Sequence, residues 1–194
     1  SMSTRRVMAV RESRILWVEG MLGGSLSKEN MEIVLEGAGA ELDLVGGFLT
    51  HGNQHLDMSP VVHHIAPHTR GDVLINGALR DKSRAIFHGM VKIEKSALHT
   101  DAYLANHNLL LSPGARADTI PKLEIECNEV KASHGVTAGE MDREMLFYAM
   151  SRGLDEKVAE NLIVDAFYET ILQRIPHEGI RNTLGKTIRE KLRQ

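Results

Sequence analysis

Ten histidines, one cysteine and a scatter of carboxylates are the side chains of this 194-residue chain that could do chemistry, and their spacing decides which kind. Zinc needs three or four converging donors. His63 and His64 are adjacent, so on a strand they point to opposite faces. His64 and His68 are separated by Pro67, and His51 and His55 by Gly52 and Asn53, so neither pair sits one helical turn apart. These histidines read as surface or coil-edge residues. Cys127 alternates with Leu123 and Ile125 and shares their apolar face, where a free cysteine acts as a small core residue. Glu124 and Glu126 also share a face. Paired acids of that kind serve glycoside hydrolysis, yet four Phe, three Tyr and one Trp are few for the platforms that stack on sugars. GIRNTLGKT at 179–187 imitates a phosphate loop, but it has one residue too many between its glycines and follows a helical pattern instead of a strand. Arg70-Gly71-Asp72 matches an adhesion tripeptide, a coincidence in a cytoplasmic chain. No Gly-x-Ser-x-Gly elbow occurs.

The elements that must position these residues change character at Gly139. Before it the period is two. Val7 to Val10 can start a short strand, and Ile15 to Val18 forms an apolar run. Met31, Ile33 and Leu35 share a face opposite Glu32 and Glu36, and glycine at 37 and 39 breaks the run. Similar alternation runs through Leu42 and Leu44, Val73 and Ile75, Ala85 and Phe87, Val91 and Ile93, Leu109 and Leu111, and Leu123 to Cys127. So many short strands fit a sandwich, a barrel or a solenoid. Small residues at Ala40, Ala78, Ala97 and Ala115 suggest a turn repeat of about 19 residues or twice that, which favours stacked coils over a sandwich. The expected fold is therefore a β-solenoid over residues 1–139 and a helical region over 140–194. In that region Asp142 caps a helix to about Ser151 and Gly153 suits the residue past its end. Asp155 caps a second, with Val158, Leu162, Ala166, Phe167 and Ile171 as its apolar stripe. Pro176 ends it. A third carries Ile180, Leu184, Ile188 and Leu192 at spacing four, with basic residues towards its C-terminus.

Composition narrows the function classes. A net charge of −3 gives no basic field for nucleic acid. No apolar run approaches a membrane span or a secretory signal. One cysteine rules out an intramolecular disulfide and a four-thiolate metal site within one chain, and makes a reducing, cytoplasmic setting the expectation. Ser1 ahead of Met2 reads as a residue left by cloning. With 4% aromatics the core must be aliphatic. The residues by themselves thus point to a non-enzymatic scaffold, with a carbohydrate-active solenoid as the enzymatic alternative.

LEIECNEVKASHGVTAGEMDREMLFYAMSRGL at 123–154 resembles the core signature of the SufB/SufD family of iron–sulfur cluster assembly proteins. In SufD-type members this signature runs LEI, an acidic turn, VKCSHGATxG, then a helix with FY and SRG. QHLDMSPVVHHIAPHT at 54–69, FHGMVKIEKSALHTDAYLANHNLLLS at 87–112 and Thr119 to Pro121 fit in the family's order, so the resemblance covers about Gly37 to Ile175. It implies a right-handed parallel β-helix followed by C-terminal helices. It also implies a scaffold working with SufC, an ABC-type ATPase that docks on the C-terminal helical region, and self-association or pairing with a SufB-like paralogue. The chain would be a minimal core without the family's long N-terminal helical domain. The SufD-type cysteine before Ser-His-Gly is Ala132 here, the SufB-type cysteine near 114–116 is absent, and SufB's glutamate after the histidine is Gly135. His134 is the one site residue that carries over, as a cluster or interface residue. No cofactor is assured, and an iron–sulfur cluster is implied only transiently at a dimer interface. An ATPase-docking homologue that carries no cluster stays open beside the scaffold.

Overall fold

Alternating apolar residues do form strands here, and each strand finds its partner one full coil away. The computed structural model describes residues 1–193; Gln194, last residue of the expected helical region, lies outside the described residues. Twelve parallel strands come first: β1 (Met2–Ala9), β2 (Arg14–Met21), β3 (Leu26–Leu35), β4 (Glu41–Thr50), β5 (His55–His64), β6 (Arg70–Leu79), β7 (Arg84–Phe87), β8 (Met90–Ile93), β9 (Asp101–Leu110), β10 (Arg116–Thr119), β11 (Lys122–Ile125) and β12 (Lys131–Glu140). Helices α1 (Arg143–Ser151), α2 (Glu156–Leu172) and α3 (Glu178–Leu192) follow. One sheet runs β1-β3-β5, then the broken strands β7/β8 and β10/β11. The other runs β12-β9-β6-β4-β2. This is the expected β-solenoid with C-terminal helices.

The repeat length is not the expected 19 residues. Arg14, Glu41, Arg70, Asp101 and Lys131 share one register, so successive coils advance 27, 29, 31 and 30 residues. Each coil contains two strands and two turns, and small residues mark more than one place in it. Ala40 and Ala97 lie in turns, whereas Ala78 lies within β6. Mixing these positions produced the shorter interval.

Parallel, in-register stacking puts like positions above one another, so the coil interior is a set of columns. Trp17, Leu44, Val73, Leu104 and His134 form one column, and Leu35, His64 and Ile93 another. Gly77 leaves room for the Phe48 ring; a Cβ there would lie 1.9 Å from Cζ. His64 is fully buried. Its Nδ1 is 2.8 Å from the Thr69 hydroxyl, which is 3.0 Å from that of Thr100 in the next coil, while Nε2 has no partner.

The helices cover the outer face of the β2–β12 sheet only. Val45, Leu49, Leu74, Ala78 and Ala105 meet Val164, Tyr168, Ile171, Leu172, Leu184 and Ile188 in a second core. Polar groups fix the docking. The Tyr168 hydroxyl donates to the Phe48 carbonyl, the Asn76 amide donates to the Phe167 carbonyl at 2.9 Å, and Arg174 pairs with Asp72 at 2.8 Å. All three helices lie close to where spacing puts them, with Asp142 and Asp155 as N-caps and Gly153 at φ 93°. The expected α2 stripe holds at Ile171, which is buried, and at Phe167, which packs against the second core, but not at its start. Ala159, Val164, Tyr168, Ile171 and Leu172 are buried, whereas Val158, Leu162 and Ala166 face outward. α2 is apolar on two sides, and the sheet selects the side that offers Tyr168 a carbonyl.

Burial without an acceptor for Nε2 pushes His64 down from 6.5 to about 4. The unfolded chain therefore takes up a proton between those values while the folded chain does not. Stability is full above pH 6.5 and should fall by about 3 kcal/mol as pH drops towards 4. His64→Val should flatten that part of the profile in urea melts from pH 7 to 4; an unchanged slope would remove His64 as its source.

Candidate functional site

The end of the solenoid at β12 gathers the features that could act. A parallel coil satisfies its backbone through the coils on either side, so its last strands keep one unpaired edge. Lys131 donates its N–H to Thr100 at 2.9 Å, on the β9 side. Alternation along a strand then turns the N–H groups of Ala132, His134, Val136 and Ala138 to the free edge. The strand KASHGVTAGE carries small side chains there and no proline. Its inward positions continue the core columns: Ala132 over Ala102, His134 over Leu104, Val136 over Asn106, Ala138 over Asn108. Opposite them stand Ala117, Thr119 and Leu123, half-buried. The mouth is thus an apolar coil interior left partly open.

His134 is exposed and occupies the inward column whose earlier members are aliphatic or aromatic. Beside it, a Cβ on Gly135 would stand 2.8 Å from the Tyr103 hydroxyl, so glycine lets that hydroxyl approach the edge strand. Just beneath the mouth is a polar patch. The Asn108 amide donates to Asn106 Oδ1 at 2.7 Å and to the Thr119 hydroxyl at 3.0 Å, and Asn106 donates to the Ile75 carbonyl. Asn108 Oδ1 is buried without a donor. On the outer side His107 Nδ1 lies 3.0 Å from the Thr137 hydroxyl, and burial lowers the His107 pKa.

The other residues singled out by type do not converge here. Cys127 is buried in the same core as Ala97 and Ala102. His63 faces outward to Glu94 at 2.7 Å while His64 faces inward, as adjacent strand residues must. His68 and His99 stack, ring centres 4.9 Å apart, in turns of successive coils. Glu124 and Glu126 are exposed. Gly179 to Thr187 is α-helical and forms no phosphate-cradling loop; from Arg181 on its N–H groups are committed along the helix, and the Ile180 N–H is taken by His177 Nδ1. Among the described residues no three His, Cys, Asp or Glu side chains cluster in a way that could hold a metal ion. One exposed imidazole beside Ala132 does not make the ligand set of an iron–sulfur cluster within a single chain.

Sequence reasoning missed two features. The Asn106–Asn108–Thr119 patch was signalled by amides at alternate positions of a strand whose other inward residues are apolar. The second is α1, which has no buried residue and exposes Met145, Phe147 and Tyr148, with Phe147 74% exposed. Arg152 lies 5.1 Å over the Tyr148 ring. The signal was a nine-residue helix with more apolar side chains than one face can bury.

No helix among the described residues is long and apolar enough to cross a membrane. Comparison with known proteins places these features in a family. A family model described as "SUF system FeS cluster assembly, SufBD core domain" matches residues 1–167. An iron–sulfur cluster assembly SufBD family protein of Mycobacterium tuberculosis is 36% identical over 180 residues, covering 89% of this chain and 45% of that protein. The iron–sulfur cluster assembly protein SufD of Escherichia coli is 31% identical over 172 residues, covering 89% and 41%. SufD of Bacillus subtilis is 29% identical over 185 residues, covering 94% and 42%. The chain therefore spans less than half the length of these three relatives. With the family model matching most of its length and a coil-and-helix architecture to carry it, this chain belongs to the SufBD core family.

Proposed function

We propose that this chain is a SufD-like, non-catalytic scaffold component of iron–sulfur cluster assembly in the cytoplasm. It docks a SufC-like ABC ATPase through its C-terminal helices and pairs through β12 with a second copy or a SufB-like paralogue. The observation that carries the reading is an open coil end with a free, unblunted strand edge in a chain of this family. Exposed apolar surface on a helix with no buried residue supports the docking assignment. His134, on the inward face of the edge strand, is the residue this reading places at the pairing interface. The cluster is cargo, formed only where a partner supplies the ligands this chain lacks.

The second reading, a homologue that docks the ATPase but carries no cluster, is favoured by Ala132, which leaves His134 without a neighbouring thiolate. Anaerobic reconstitution with iron and sulfide separates the two. The scaffold reading expects sulfur-to-iron charge-transfer absorption in the protein paired with a SufB-like paralogue and its loss in His134→Ala. A colourless paired wild type favours the docking homologue.

Docking predicts that the chain co-purifies with its cognate SufC and stimulates its ATPase activity. Phe147→Glu with Tyr148→Glu should weaken that affinity at least tenfold, about 1.4 kcal/mol, and unaltered binding would remove α1 from the interface. Pairing through β12 is tested by Val136→Pro, which deletes an edge-facing N–H and leaves the bonds to β9 in place. Sedimentation velocity should show a smaller species for this variant than for wild type at equal concentration, with the thermal midpoint within a few degrees. An unchanged sedimentation coefficient would place self-association elsewhere.

A further inference from the structure

The opposite end of the solenoid, at β1 and β2, closes with an ion-pair cluster set among apolar residues: Ala9 and Met21 are buried in the core, and Ile15 and Trp17 pack against it. β1 contributes Ser3, Arg5, Val7 and Ala9 to the coil interior, in register with Glu29, Met31, Ile33 and Leu35 of β3, and of the four only Ala9 is buried. The inward residues of β2 facing them are Ile15, Trp17, Glu19 and Met21, and Glu19 is the charged one among them. Glu19 and Glu29 are each only 7% exposed.

Arg5 joins the two carboxylates. Its Nη1 is 2.8 Å from Glu19 and its Nη2 2.9 Å from Glu29, and the guanidinium lies 5.6 Å over the Trp17 ring. Trp17 Nε1 donates to Glu19 at 3.1 Å, and the Ser3 hydroxyl donates to Glu29. One side chain of an edge strand thus ties both sheets across the mouth, one cation between two buried carboxylates. A guanidinium suits this because its planar fork serves two acceptors at once.

The arrangement is asymmetric in its consequence. While Arg5 is in place the carboxylates are paired. Without it, two like charges face each other where water is scarce, and the relief open to them is to let water in as β1 departs. Little apolar contact resists that departure, since β1 buries a single side chain in full. Below it, Met31, Ile33 and Leu35 are buried almost completely and belong to the continuous core.

We propose that Arg5 is an ionic latch that holds β1 as a strap across the mouth, so that the first coil opens separately from the coils beneath it. Opening uncovers the ten-residue edge of β3 together with its inward Met31, Ile33 and Leu35.

Hydrogen–deuterium exchange of the whole chain, read by mass spectrometry, tests this. In wild type, peptides from 2–9 should exchange at least about tenfold faster than those from 41–50 and 70–79, as expected of a unit that opens on its own. Arg5→Met should speed exchange in β1 and β3 by about a further tenfold and leave β4 and β6 unchanged. Adding Glu19→Gln and Glu29→Gln to Arg5→Met should restore most of the lost protection, because no unpaired charge then remains. Arg5→Lys keeps the charge without the fork and should fall between wild type and Arg5→Met, an ordering that can be measured even if Arg5→Met folds poorly. The proposal is overturned if β1 exchanges in step with β4 and β6, if Arg5→Met speeds all strands alike, or if the triple variant gains no protection over Arg5→Met.

Discussion

The backbone of every strand in this protein is satisfied by a strand one coil away, and most of the rest follows from that constraint. Because the ladders are parallel and in register, a residue's neighbour in the interior is its counterpart 26 to 32 residues along the chain. Each interior side chain must therefore suit the counterparts above and below it. His64 can stand between Leu35 and Ile93 only as a neutral ring, held by the Thr69 and Thr100 hydroxyls. The same constraint fails at both ends of the stack, where no further coil is present among the described residues. Both ends therefore leave unpaired strand edges and uncovered columns.

The two ends meet that problem differently. At β1 and β2 the mouth is closed by the Arg5, Glu19 and Glu29 cluster, whose Arg5 is partly exposed on its outer side. At β12 the inward residues are small or apolar, with His134 among them and an orphaned Asn108 carbonyl just beneath. An ionic mouth gains little from a second apolar surface, whereas an apolar one with a free edge does. The solenoid is thus directional, and its C-terminal mouth is the end on which the proposed pairing rests. The helices reinforce this polarity. α2 and α3 are consumed in covering the β4–β6 face, and α1, which follows β12 directly, is left with its aromatic side chains in solvent.

Much of the fold was legible in the sequence because its signals are local. Alternation gave strands, Asp142 and Asp155 gave helix starts, and glycine past Arg152 gave a helix end. Motif order from residue 54 onward pointed to the SufBD family, and the placing of Ala132 beside His134 followed from that motif. Less was legible where the outcome depends on distant partners. The true repeat was hidden because alanine marks turns and strand interiors alike. The start of the α2 stripe was misplaced because Val158, Leu162 and Ala166 are as apolar as Ala159 and Val164, and periodicity cannot say which side meets a sheet.

What the sequence determined by itself was the strand-then-helix order, the solenoid class, the family resemblance and the lack of a thiolate before His134, all properties of residue type and nearest spacing. What the tertiary structure decided was which of those residues share a place. It set His134, though exposed, at the end of a core column, left α1 uncovered, and brought Arg5 to Glu19 and Glu29 across 14 and 24 residues of chain. Those outcomes rest on coil register and on which face each helix buries. Register is a sum of turn lengths over the whole chain, and no local stretch of sequence contains it.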